Sequence, residues 1–192
     1  MTIFDLIFIV AFLSLVIAVV MAAFQAIRGR RERALTIVRR IGATAAAYFA
    51  AVAVVSIGTP RQVIPMGVAQ CFDDWCIAAV GVAPQHAGAD DSLRVLLRLS
   101  STARGITQGE RDVRVYVIDD KNRQYAPIAE PGALPLSAGI PPEGVLTPSR
   151  LFVLPRDAGH PMLIVVHDWF PHCCIIADRE SLLHRPTVVP LY

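Results

Sequence analysis

The sequence predicts a mixed fold: a two-helix transmembrane hairpin followed by an all-β antiparallel sandwich. Three observations carry that expectation. Residues 6–24 are apolar except for Ser14, and residues 41–57 are interrupted only by Thr44, Tyr48 and Ser56. Between these runs lies an arginine-rich stretch, residues 28–40. After Gly58 the apolar residues stop running together and begin to alternate with polar ones, the period of a half-buried strand.

The apolar runs come first in the chain. At ~1.5 Å of rise per residue they make helices of about 28 and 25 Å, which match a bilayer core of about 30 Å that thins slightly. The stretch between them carries Arg28, Arg30, Arg31, Arg33, Arg39 and Arg40 against the single Glu32. Short basic connections stay in the cytoplasm, so these six residues are the expected topology determinants. The expected organisation is a transmembrane hairpin at 1–57, with helices at about 4–27 and 41–57 and a cytoplasmic loop at 28–40. A linker at 58–70 and an extracytoplasmic sandwich at 71–192 follow. Such a chain resides in the cell (inner) membrane as a two-pass protein with both termini outside. A cleaved signal peptide suits the first run less well, because positive charge follows the apolar segment instead of preceding it.

Neither run has a charge at its centre, so the helices read as anchors and not as a conduction path. Gly42, Ala46, Ala50 and Ala53 recur at helical spacing on one face of the second run. Small residues allow close backbone approach, with the first helix as the nearest partner and another protein's helix as the alternative.

The formal net charge of +2 arises from the arginine stretch, and beyond Gly58 acidic residues slightly outnumber basic ones. No basic patch with interleaved aromatics occurs there, which argues against nucleic-acid binding. In residues 92–100, Leu93, Val95, Leu97 and Leu99 share one face and Arg94 and Arg98 the other. In residues 112–118, Val113, Val115 and Val117 alternate with Arg114, Tyr116 and Ile118. Asp119 to Asn122 is turn chemistry, with a return strand at Tyr125. Prolines then punctuate an irregular connection at 126–142. Further strands are expected at 76–82, 145–154, 162–169, 174–177 and 187–191, about seven in all with the rest. Many short strands separated by turns point to a sandwich.

The runs LRVLLRLSSTARGITQGERDVRVYVIDDKNRQYAP and PPEGVLTPSRLFVLPRDAGHPMLIVVHDW resemble the immunoglobulin-like domain of unknown function found in bacterial surface lipoproteins and secreted mycobacterial antigens. The resemblance spans residues 93–169 and rests on an acidic-turn-aromatic segment, Asp119 to Tyr125, and a strand closing on a Pro-acidic turn at 151–157. It implies an immunoglobulin-like sandwich outside the cytoplasm, without catalytic residues to carry over. The two preceding helices depart from the signal peptide or lipid anchor such domains commonly follow.

Cys71, Cys76, Cys173 and Cys174 all fall in the outer domain, where an oxidising environment favours disulfides. A local Cys71–Cys76 bridge requires a turn at Asp73-Asp74, and a vicinal Cys173–Cys174 bridge is strained. At least one cross-link between the first pair and the second is the favoured arrangement. His167, Asp168, His172, Cys173 and Cys174 crowd together and offer a metal alternative, zinc or copper on His167, His172 and Cys173, though the spacing matches no recurrent motif. Asp73-Asp74 reads as a polar turn before a cation site. Asp178, Ser181 and His184 have triad residue types but no nucleophile elbow or oxyanion donors, so Asp178 reads as a helix cap. Trp75 and Trp169 are expected core aromatics, or a binding patch if exposed together.

The expected role is that of a non-enzymatic binding, assembly or envelope-interaction module, with no cofactor. Its expected partners are the membrane and another envelope or membrane protein, and the sequence does not specify a small-molecule ligand. The alternatives are a Cys/His metal-binding domain and an accessory subunit acting through its helices.

Overall fold

The computed structural model describes residues 3–87, 90–167 and 183–192. It contains two helices followed by antiparallel sheets, arranged as two compact units; among the described residues the first takes residues 3–60 and 183–185 and the second the rest. Helix α1 spans Ile3–Ile27 and α2 spans Arg31–Gly58, both long and apolar enough to cross a membrane by length and composition. Only Arg28, Gly29 and Arg30 connect them. Gly29 takes φ 72°, and its N–H bonds the Ala26 carbonyl while the Arg30 N–H bonds that of Gln25, a left-handed cap that ends α1.

The connection is therefore much shorter than the 28–40 loop the sequence predicts. Residues 31–40 are helical because Arg, Glu, Leu and Ala are all good helix formers, and charge alone does not break a helix. The side of α2 that packs on α1 also differs from the predicted small-residue face. Ala34, Ile37, Ile41, Ala45 and Tyr48 are half-buried and Val52 is buried, at mixed three- and four-residue spacing, which keeps them on one face of the helix. Gly42, Ala46 and Ala50 are exposed, with only Ala53 half-buried, and a Cβ added at Gly42 would meet nothing within 4 Å.

The second unit has nine strands among the described residues: β1 Gln70–Phe72, β2 Trp75–Ala87, β3 Asp90–Ser101, β4 Val113–Ile118, β5 Gln124–Tyr125, β6 Val145–Leu146, β7 Ser149–Leu154, β8 Met162–His167 and β9 Val188–Pro190. One sheet runs β1-β2-β3, with β6 and β7 end to end along the far edge of β3. The other runs β5-β4-β8-β9. The expected single strand at 145–154 is split, because Pro148 has no N–H for the ladder; its carbonyl accepts the Leu97 N–H at 2.8 Å instead. The strand expected at 174–177 lies outside the described residues.

The two sheets close on one apolar core, which makes the unit a sandwich. Leu93, Val95, Leu97 and Leu99 of β3, with Trp75, Ile77 and Phe152, face Val113, Val115 and Val117 of β4 and Leu163 and Val165 of β8. Ile140 of the long connection completes this core and is fully buried. On the other side of the second sheet, Ile118, Ile164 and Val188 form a small satellite cluster.

The stretch expected as a linker, 58–70, is built into the sandwich from Arg61 onward. The Ile64 N–H bonds the Val188 carbonyl at 3.0 Å, the Val188 N–H bonds the Gln62 carbonyl at 2.9 Å, and the Gly67 N–H reaches Ala79 of β2 at 2.7 Å. These segments have backbone groups to satisfy, and the adjacent strands β9 and β2 supply partners.

Candidate functional site

One end of the sandwich is organised by the β1–β2 hairpin. Phe72 and Trp75 close it across the two-residue turn Asp73-Asp74, in which Asp73 adopts the left-handed backbone such turns demand, with φ 52°. Cys71 and Cys76 are register partners just outside that pair, with Cα atoms 4.0 Å apart, and they form a disulfide. The bridge is thus local, correcting the expected cross-link to Cys173 or Cys174. Tight reversal at Asp73-Asp74 brings the two thiols together before any distant cysteine can compete. Cys173 and Cys174 lie outside the described residues.

The turn itself is tied down: the Thr102 hydroxyl donates to Asp74 Oδ1 at 3.0 Å and the Thr102 N–H to the Asp74 carbonyl at 2.9 Å. Trp75 is fully buried in the core, and the Phe72 ring lies 6.1 Å from it and 5.0 Å from the His167 ring. His167 Nε2 stands 3.1 Å from Glu110 Oε2, which fastens the loop before β4 to the end of β8. Among the described residues no group of three His, Cys, Asp or Glu side chains could hold a metal ion. Cys71 and Cys76 bond each other, and His172 and Cys173 lie, with Asp168, Trp169, Asp178 and Ser181, outside the described residues.

A second constellation was not singled out as a site from the sequence. Asp119, fully buried, follows β4 directly. Its Oδ1 accepts the N–H groups of Lys121 and Arg123, each at 2.9 Å. Its Oδ2 accepts Arg123 Nε at 2.6 Å and the Tyr125 hydroxyl at 3.0 Å. Burial alone would raise its pKa, but these bonds from Arg123 and Tyr125 outweigh it and hold the carboxyl at about 2. Asp157 accepts Lys121 Nζ at 2.7 Å and Arg123 at 3.1 Å, and these two contacts bring it likewise to about 2. With both oxygens of Asp119 doubly occupied, no lone pair is left for a metal or a substrate proton. The signal was present in the sequence, as the acidic-turn-aromatic segment and the Pro-acidic turn meet in this cluster.

On the outer side of β3, Arg94 forms a two-bond fork with Glu130, 3.0 and 2.8 Å, and so anchors the long connection. The Ile128 N–H on the Leu151 carbonyl and Arg150 Nη2 on the Leu134 carbonyl add two more ties. This connection contains no helix or named strand yet is held at several points.

In the helical unit, Arg28, Arg30, Arg31, Arg33, Arg39 and Arg40 are all exposed. The Arg28 guanidinium sits 4.1 Å over the Phe24 ring. A groove of about 650 Å³ runs between the helices, lined by side chains that include Phe8, Phe12 and Leu15 of α1 and Arg40, Ala45 and Phe49 of α2.

Comparison with known families gives no match, nor does comparison with curated proteins. Among solved structures, an uncharacterized β-sandwich protein from Clostridium difficile 630 aligns over 70% of this chain and 96% of its own, with 8% identity and a TM-score of 0.47. The yjhA protein from Bacillus subtilis aligns over 67% and 98%, with 12% identity and a TM-score of 0.43. Likenesses at this level carry no inference for this chain.

Proposed function

We propose that this is a two-pass membrane protein that displays an immunoglobulin-like sandwich outside the cytoplasm as a non-enzymatic binding or assembly module. One observation carries the reading. The large apolar side chains of both helices are exposed along their length, Val20 and Ile57 at 62% and Val54 at 69% among them. An apolar surface of that extent is stable against lipid and not against water. The arginines at the hairpin tip give the orientation, with the tip in the cytoplasm. The Cys71–Cys76 bridge agrees with an oxidising compartment for the sandwich. The ionic clusters at Asp119 and at Arg94 fasten turns and loops, which favours a binding scaffold over a catalyst.

Reporter fusions test the topology. Alkaline phosphatase after Tyr192 should be active and a fluorescent protein inserted at Gly29 should fluoresce. The opposite pattern, or a reduced Cys71–Cys76 pair in growing cells, overturns the reading. A photo-activatable residue at Leu96, 41% exposed on the outer side of β3, tests the binding role. A discrete cross-linked envelope protein is expected, and its absence there and at other exposed strand positions removes that role.

A further inference from the structure

The two apolar runs are out of step in the hairpin. Helix α1 stays apolar up to Phe24, three residues before its end, whereas α2 begins with the segment 31–40 and turns apolar only at Ile41. As a result Arg40 lines the same groove as Leu15 and Ala18 of α1, well within the apolar run. Among the described residues, those lining the groove include no carboxylate and Arg40 has no acidic partner. A guanidinium beside an apolar wall is costly in a membrane unless an anion joins it or it reaches the interface.

The groove has the dimensions of a lipid chain. On α2 its lining runs from Ile37 to Phe49, and on α1 from Phe8 to Ala18. At ~1.5 Å per residue these are lengths of about 18 and 15 Å, close to half of a bilayer core of about 30 Å. The volume of about 650 Å³ falls in the ordinary range for small-molecule sites. Its walls are mostly apolar, with the hydroxyls of Ser14 and Thr44 near the middle, Thr44 one turn along α2 from Arg40. Arg39 lies beside Arg40, and four more arginines lie toward the tip.

We infer that this groove binds one acyl chain of an anionic phospholipid from the cytoplasmic leaflet, with the lipid phosphate on Arg40. Charge complementarity selects the headgroup, and groove length and lining select the chain. Basic pockets between transmembrane helices on the cytoplasmic side are suited to anionic headgroups. The inference rests on the membrane reading above.

Native mass spectrometry of the detergent-solubilised full chain tests it, with dioleoyl phosphatidylglycerol titrated against dioleoyl phosphatidylcholine. One phosphatidylglycerol per chain should be retained in preference to phosphatidylcholine, and glycerol phosphate, which lacks acyl chains, should not compete. Arg40→Gln should lower that preference about fivefold, the effect of about 1 kcal/mol per arginine near a headgroup, while Arg40→Lys preserves it. Ala45→Trp, which fills the groove, should abolish retention, whereas Arg31→Gln leaves it in place. Equal binding of both lipids, no response to Arg40→Gln, competition by glycerol phosphate, or a second protein chain occupying the groove each overturns the inference. An alkaline carbonate wash of cell membranes separates the two failures. A chain that washes off the membrane refutes the membrane reading itself, and a chain that stays but shows no lipid preference refutes only the lipid site.

Discussion

The buried Asp119 carboxylate lies 2.6 Å from Arg123 Nε, and that guanidinium reaches on to Asp157, 3.1 Å away, on the turn after β7. One arginine therefore joins the turn after β4 to the turn before β8. Gly159 belongs to the same junction: its carbonyl accepts the Asp120 N–H at 3.0 Å. The two turns are distant in sequence, and their fastening fixes that end of the sandwich.

The junction should make stability depend on acid. Both carboxyls have folded pKa values of about 2 against an ordinary value of 3.8. A depressed folded pKa means that the stabilisation is fully present above the ordinary value and is lost as pH falls toward 2. Thermal unfolding of the detergent-solubilised chain should show a Tm that drops over that window. Asp119→Asn should lower Tm at neutral pH and flatten the drop. Added salt should weaken only the share of Asp157, whose side chain is 56% exposed.

Removing the disulfide should have a moderate effect. The Cys71–Cys76 bridge closes a six-residue loop, sequence separation 5. In the chain-entropy model such a loop contributes about 2 kcal/mol, against roughly 4 or more for a bridge spanning the domain. Replacing both cysteines with serine should lower the unfolding free energy from denaturant titration by that smaller amount, and reductant should do the same to the native chain. A loss of folding would contradict the local pairing.

Facing of the strands can be checked by truncation. Phe152 is fully exposed to the core and closed to solvent, so Phe152→Ala should cost about 3–5 kcal/mol. Leu96 points outward from β3, and Leu96→Ala should stay within about 0.5 kcal/mol. Denaturant titration of the two variants separates them.

Glycines give a steric test. A Cβ at Gly144 would lie 2.8 Å from the Pro141 carbonyl oxygen, which is backbone and cannot yield cheaply. Gly144→Ala should destabilise by about 1–3 kcal/mol. Gly105→Ala, with nothing within 4 Å, should be close to neutral by the same thermal measurement.

The legible parts of the fold were those with one apolar face. The alternation in β3 and β4 is visible because Leu93, Val95 and Val115 must reach the core while Arg94 and Arg114 must not. The helicity of residues 31–40 is not legible, because charge density is a topology signal and says little about backbone conformation. The α1-facing side of α2 is hidden for a related reason. Ile37, Ala45 and Tyr48 do not look like a packing stripe until the three- and four-residue spacing is traced through the arginines. The Cys71–Cys76 pairing depended on a turn geometry, Asp73 at positive φ, that composition permits without requiring. The Asp119 cluster joins turns far apart in sequence, and only the topology of β4, β7 and β8 brings them together.

The hydrogen bonds that hold residues 62–64 alongside β9 have a mechanical consequence. Val63 and Val188 are paired in parallel, so a pull on residues 61–63 along their own direction loads the bonds to Val188 lengthwise and not from one side. Both bonds to Val188 then bear the load at once, in shear, instead of opening one after the other like a zipper. Freeing residues 62–64 from β9 in that direction therefore means breaking both bonds together.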